Sequence, residues 1–157
     1  MSKISKITYL LVSIVFFILF NFYFSDFIIK HGFNLQENPI IDIILVQNQG
    51  AAFNIFEGYK IFLITFSLFA FFGILFYTIK QIKNLSVFAL FYIALLSSGI
   101  FNNMLERIIL GYVRDFIKLN FIDFPIFNIS DIFINIGVFC LVIMILKKNY
   151  FKTNNEK

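Results

Sequence analysis

Tryptophan is absent from this chain of 157 residues, and cysteine and histidine occur once each. A single Cys140 cannot close an internal disulfide, and a single His31 has no second histidine at metal-ligand spacing, so no structural metal site and no bound cofactor are expected. Cys140 falls within an apolar run, where thiolate formation is disfavoured, and reads as a small packing residue. His31 sits between Lys30 and Gly32 with no serine motif beside it, which argues against Ser-His chemistry. Neither Gly-x-Gly-Asp nor His-Glu-x-x-His is present, so a presenilin-like site and a zinc-protease site are excluded. Charge is scarce too, at 14% of residues against about a quarter in soluble domains.

What fills the chain instead is apolar: 60% of residues, 25 of them Phe, with a mean hydropathy of +0.87. Four runs reach the roughly 20 apolar residues needed to cross a bilayer core, at about 7–24, 60–79, 86–105 and 127–146. The expected fold is an all-α membrane protein, a single domain over 1–157, with four transmembrane helices. The first run has the basic start of a signal peptide but no small-residue cleavage pattern after it, so it reads as an uncleaved anchor. Tyr9, Tyr23, Tyr59, Tyr77, Tyr112 and Tyr150 lie near span ends, where an amphipathic ring suits the interface.

The cations give the orientation. Lys3, Lys6, Lys80, Lys83, Lys147, Lys148, Lys152 and Lys157 all fall on one face, where Glu156 is the lone acid. The other face carries Lys30, Lys60, Arg107, Arg114 and Lys118 against eight carboxylates. By the positive-inside rule the lysine-rich face, with both termini, is cytoplasmic. The basic character therefore reports topology and attraction to anionic lipid, and not nucleic-acid binding.

The two segments between spans, 25–59 and 106–126, are not ordinary loops. Pro39 opens a β-branched run from Ile40 to Val46, and Asn48-Gln49-Gly50 supplies a turn before Ala51-Ala52-Phe53-Asn54-Ile55-Phe56, which predicts a small extracytoplasmic β-sheet around 40–56. Two strands alone are marginal in water, so the sheet should rest on the membrane or the spans. Phe116 to Phe124 interleaves apolar and polar residues and reads as an interfacial segment. Either this segment or the turn at Asn48 to Phe53 is expected to move as a gate.

Asn102, Asn103, Glu106 and Arg107 end the third span, Arg114 and Asp115 follow closely, and Asn128, Ser130 and Asp131 open the fourth. Carboxylates near hydrocarbon are expensive and usually retained for function. Two at hydrogen-bonding range share a proton, which is what aspartyl proteolysis uses: the ionised member takes a proton from water while the protonated one polarises the peptide carbonyl. The plainer reading stands beside it. Asp131 could offset a helix dipole with Asn128 as cap, and Asp115 could pair with Arg114 or Arg107. Asp26 and Lys30, four apart, suggest a structural pair. A small proton-coupled transporter is a second reading, although such a role favours a carboxylate in mid-span and none of the nine lies there. A non-enzymatic assembly or lipid-binding subunit is a third.

Asp26 with Lys30, Asn48-Gln49-Gly50-Ala51-Ala52-Phe53, Gly99 through Asn103 to Arg107, Gly111 to Phe116, and Phe127-Asn128-Ile129-Ser130-Asp131 occur in the order and spacing of bacterial lipoprotein signal peptidase, or signal peptidase II, which the chain resembles over nearly its whole length. The resemblance implies a four-helix inner-membrane aspartyl endopeptidase that cuts prolipoproteins before a diacylglyceryl-modified cysteine at the outer surface of the membrane. Membrane lipid is expected around it, and a monomer is the expected state. The resemblance also implies Asp115 and Asp131 as the catalytic pair, Asn48 and Gly50 as holders of substrate backbone, and Asn103, Arg107 and Asn128 as supports. Glu106 stands where the family usually has Asp, Asn102 and Ser98 where glycine is frequent, and Phe27 where Gln often follows the first Asp.

Overall fold

The computed structural model describes residues 1–31, 39–51 and 55–155. Its elements run α1 (Lys3–His31), β1 (Ile41–Asn48), α2 (Lys60–Gln81), α3 (Val87–Ile109), β2 (Val113–Leu119) and α4 (Ile129–Asn155). All four helices are long and apolar enough to cross a membrane, matching the four predicted spans. The helix α1 outruns its predicted span: its 29 residues make about 43 Å at ~1.5 Å each, longer than a hydrocarbon core of about 30 Å. Its last turns, with Asp26 and Lys30, thus project past the apolar layer.

The central helix is α3, 56% of whose membrane window is buried inside the protein against 17% for each of the others. Sequence explains the choice. Lipid tails are as apolar as leucine, so helices in a bilayer associate where small side chains let backbones approach. Ala89, Ala94, Ser97, Ser98 and Gly99 supply that on α3. A Cβ on Gly99 would lie 2.5 Å from the Ser130 carbonyl oxygen of α4, and one on Gly137 of α4 would lie 2.9 Å from the Tyr92 carbonyl oxygen of α3. The phenylalanines mostly face outward instead, with Phe16, Phe66, Phe69, Phe76 and Phe139 all exposed on the surface that lipid would cover.

At the end where α1 begins, the Lys6 ammonium donates to the carbonyls of Ile82 (3.3 Å), Lys83 (3.0 Å) and Leu85 (2.6 Å), occupying acceptors that the end of α2 leaves open. Leu10, Ile14, Phe71, Ile93 and Ala94 pack above it as the bundle core.

At the opposite end β1 and β2 pair antiparallel, with Ile43 facing Ile117, Val46 facing Asp115 and Asn48 facing Val113. The expected sheet is therefore present, but the partner of β1 is β2 and not the stretch after the turn. Of that stretch Ala52, Phe53 and Asn54 lie outside the described residues, and Ile55 to Gly58 form a turn. The expected interfacial segment is correspondingly shorter. Phe116 is fully buried, packed with Ile28 and Ile129, while Phe121, Ile122 and Phe124 remain exposed and apolar. The Asn48 to Phe53 gate falls partly outside the described residues.

A bulge between Ile43 and Val46 sets two residues of β1, Ile44 and Leu45, where β2 has Phe116 alone. On the far edge of β2, Phe116 and Ile117 donate their N–H groups to the Phe127 carbonyl (3.0 and 2.9 Å), and Phe127 donates back to Ile117 (3.1 Å). These bonds tie the entrance of α4 to the strand that carries Asp115.

Candidate active site

Asp131 enters the site through a reciprocal helix cap. Asn128 precedes α4, and its Oδ1 accepts the Asp131 N–H at 3.1 Å while Asp131 Oδ2 accepts the Asn128 N–H at 3.1 Å. This is the capping-box arrangement, with asparagine and aspartate in place of the commoner serine and glutamate. It leaves the Asn128 amide nitrogen free to work elsewhere. It donates to Asp115 Oδ1 at 2.7 Å and to Asn103 Oδ1 at 3.2 Å. The Asn103 amide in turn donates to Asp131 Oδ1 at 2.9 Å. Two side-chain amides thus link the two carboxylates, one from the cap of α4 and one from α3.

Asp115 takes a further bond from Asn48, whose Nδ2 donates to its Oδ2 at 2.8 Å. The Asn48 Oδ1 accepts the Gly50 N–H at 2.9 Å, which fixes the turn after β1 and the amide's orientation together. Arg107, buried at 7% exposure one helical turn beyond Asn103, donates through Nη1 to the Asn103 carbonyl (3.1 Å) and through Nη2 to the Gly50 carbonyl (2.5 Å). Gly50 therefore spends both backbone groups inside the protein. The Nε–H of Arg107 has no partner among the described residues.

Burial at 3% exposure pushes Asp115 up to about 6 from the ordinary 3.8, the Asp131 charge adding to the shift and the amides of Asn48 and Asn128 and the charge of Arg107 opposing it. Its burial thus carries the Asp115 carboxyl toward the range in which a side chain can both release and take up a proton.

All seven residues expected around the chemistry, Asn48, Gly50, Asn103, Arg107, Asp115, Asn128 and Asp131, belong to this one network. Asp26 and Lys30 do not; they form an ion pair at 2.7 Å at the outer end of α1. Sequence reading missed how that pair connects inward. Arg114 lies 3.8 Å from Asp26, and its Nε and Nη2 both bond Glu106 Oε1, at 2.8 and 2.6 Å. Glu106 Oε2 also accepts the Arg114 backbone N–H at 2.7 Å. The extra methylene of Glu106 is thus used to grip Arg114, and not Arg107, and so holds the strand one residue from Asp115. Glu106→Ala leaves a half-buried guanidinium and a backbone N–H without this acceptor. The expected outcome is a loss of about 1–3 kcal/mol of stability, read as a lowered thermal transition in detergent, with catalysis weakened as well.

A second missed feature lies inside the apolar layer. Asn21 Nδ2 on α1 donates to Ser130 Oγ at 2.7 Å, and Ser25 Oγ donates to Asn21 Oδ1 at 3.0 Å, all three residues being buried. The residue beside Asp131 is thereby fastened to α1. A lone asparagine in a phenylalanine-rich span was the available signal, since polar residues in membrane helices bond across to neighbours. Asn102 is buried as well, and its amide nitrogen has no partner among the described residues. His31 bonds the Phe27 carbonyl of its own helix (3.0 Å) and takes no part in the site.

In this chain four membrane helices meet a polar, carboxylate-bearing mouth, and solved structures share the fold. Two bacterial membrane enzymes determined by the in meso method superpose with TM-scores of 0.77 and 0.73 at 30% and 29% identity, the first covering 94% of this chain and 91% of its own. The protein is a membrane enzyme by that likeness. The family model described as Signal peptidase (SPase) II matches residues 13–147. Lipoprotein signal peptidases of Streptococcus thermophilus (35% identical over 69% of this chain and 71% of theirs), Caldicellulosiruptor bescii (38%, 69% of each) and Pelagibacter ubique (34%, 82% and 78%) are similar in sequence. The chain belongs to the signal peptidase II family, proteases of the aspartic type that act on lipoprotein precursors. The transporter reading has no support among these relatives.

Proposed function

We propose that this protein cleaves prolipoproteins immediately before a diacylglyceryl-modified cysteine, with Asp115 and Asp131 as the catalytic pair, working as a monomer and as one 157-residue unit. The observation that carries the assignment is the amide chain from Asp115 through Asn128 and Asn103 to Asp131, since it holds two carboxylates in one polar mouth with acceptor lone pairs still open on both. One carboxylate, ionised, draws a proton from the attacking water; the other, protonated, donates to the scissile carbonyl as charge develops on its oxygen. The Arg107 guanidinium sets a fixed positive charge beside the pair and favours its ionised member. Asn48 and Gly50 shape the turn against which the substrate backbone is held.

The lysine distribution supports an outward-facing site with both termini in the cytoplasm of a bacterial inner membrane. Both the apolar segment of a signal peptide and the acyl chains on the cysteine partition into the bilayer, so the bond arrives by two-dimensional diffusion at the depth of the pair. Water reaches that depth at a span mouth and not at the midplane.

Incubating purified protein in detergent with a diacylglyceryl prolipoprotein and with its unmodified form tests the reading. Mass spectrometry should show cleavage of the first alone, immediately before the cysteine. Equal cleavage of both would make the protein a general signal peptidase, and cleavage of neither would remove the assignment.

A further inference from the structure

A cavity of about 340 Å³ opens at the site end of the bundle, lined by Gln49, Gly58, Lys60, Leu110, Gly111 and Tyr112. It begins where the sheet stops. Asn48 and Val113 face each other at the last register position, and the next residues outward on the two chains, Gln49 and Tyr112, form its wall. The cavity is therefore one residue along the backbone from Asn48, whose amide holds Asp115. Gly111, at φ +90°, turns the chain from the end of α3 into β2, a conformation open to glycine and strained for other residues. Over it lies the Lys60 ammonium, 3.9 Å from where a Cβ on Gly111 would stand.

Lys60 is the first residue of α2, is exposed, and forms no ion pair among the described residues. Its charge is thus directed over a cavity whose walls include the Gln49 amide and the Tyr112 hydroxyl, and none of the ion pairs among the described residues engages it.

The occupant follows from what the substrate presents on each side of its scissile bond. The signal peptide is apolar and stays in the bilayer, and so do the acyl chains on the cysteine. A polar, cation-bearing cavity of this size suits neither. The remaining part of the substrate is the polypeptide that continues beyond the modified cysteine into water. Resting on the prolipoprotein reading above, we propose that this cavity seats the residues immediately after the modified cysteine and that Lys60 makes the enzyme favour acidic side chains there.

The test uses the full chain in a neutral detergent without anionic lipid. Two diacylglyceryl prolipoproteins differ only in the second and third residues after the cysteine, Glu-Glu in one and Lys-Lys in the other. At low salt the parent protein should cut the acidic substrate with a kcat/KM about 3- to 10-fold higher, the difference lying in KM because the contact is equal in ground and transition states. Lys60→Gln should bring the ratio near one and Lys60→Glu should invert it, and raising the salt should shrink it in every case. An unchanged ratio in Lys60→Glu overturns the proposal. So does a KM that follows added phosphatidylglycerol through Lys60 while ignoring substrate charge, since Lys60 would then read a lipid phosphate. Failure of the parent protein to cut either substrate would instead strike at the endopeptidase assignment.

Discussion

Asp115→Asn and Asp131→Asn, each purified in detergent, should cleave a diacylglyceryl prolipoprotein at least about 10³-fold more slowly than the parent protein, while remaining folded. The loss is large because, in the proposed mechanism, each carboxylate has half of one proton cycle and neither amide can take it over. An amide at 115 cannot accept a proton from water, and an amide at 131 cannot exchange one with its neighbour. Folding should survive for a reason visible in the geometry. Burial holds Asp115 at about 6, above its ordinary 3.8, so ionising it opposes folding: that opposition is absent below pH 4, grows as pH rises to 6, and is then complete at roughly 3 kcal/mol. Asn at 115 removes this penalty. It also sets an NH2 group against a donor, because Asn48 and Asn128 both point their amide nitrogens at Asp115 and cannot turn over while Gly50 and Asp131 hold their oxygens. The two effects oppose each other, so the thermal transition at neutral pH should move by only a few degrees.

The pH profile is a second readout of the same pair. If the active form holds one shared proton, raising the pH through about 6 removes it, and kcat/KM falls on the alkaline side with an apparent pKa that belongs to the pair. A rate that instead rises through pH 6 and stays high, or full activity in either Asn variant, would refute a proton-sharing dyad.

The four spans were legible because length and hydropathy alone decide them, and the resemblance to the family's motifs brought seven network residues forward by number. What sequence could not supply was pairing across distance. The run from Ile40 to Val46 declares itself a strand, but its partner lies beyond two membrane helices, with Asn48 reaching a residue 67 positions later. Nothing in the local pattern of 113–119 separates a strand from an interfacial stretch, because its apolar and polar residues are interleaved without strict alternation; the buried Phe116 and the bulge opposite it settle the matter only in three dimensions. Glu106 was visible as a charge and Arg114 as another, yet the grip between them depends on the turn at Gly111 that leads from α3 into β2. Asn21 is a lone asparagine in its span, a signal passed over, and its partner Ser130 is set by how α1 meets α4, which hydropathy does not encode.

The close approach of α3 to α4 makes Gly99 the position outside the network with the greatest expected effect. A Cβ there would stand 2.5 Å from the Ser130 carbonyl oxygen and 2.8 Å from Ile134 Cγ1, closer than carbon tolerates, and the first of these is backbone that no rotamer change can move aside. Gly99→Ala must therefore push the first turn of α4 away from α3. That turn carries Asp131, and the residue capping it carries the amide that reaches Asp115, whereas Asn103 stays with α3 one turn from the new methyl. A displacement on the order of 1 Å stretches both the Asn103–Asp131 and the Asn128–Asn103 bonds, and misplacement of that size costs about 10²-fold in rate. Helix propensity works in the opposite direction, favouring alanine over glycine by about 1 kcal/mol, so a loss has to exceed it to be seen. Gly73→Ala supplies the control, since nothing lies within 4 Å of its Cβ position and only the propensity gain applies. Equal kcat values for the two variants would mean that α3 and α4 do not approach as closely as described, and the siting of Asp131 by that contact would have to be abandoned; a loss confined to Gly99→Ala, falling on kcat more than on KM, ties the packing of two membrane helices to the registration of the carboxylate pair.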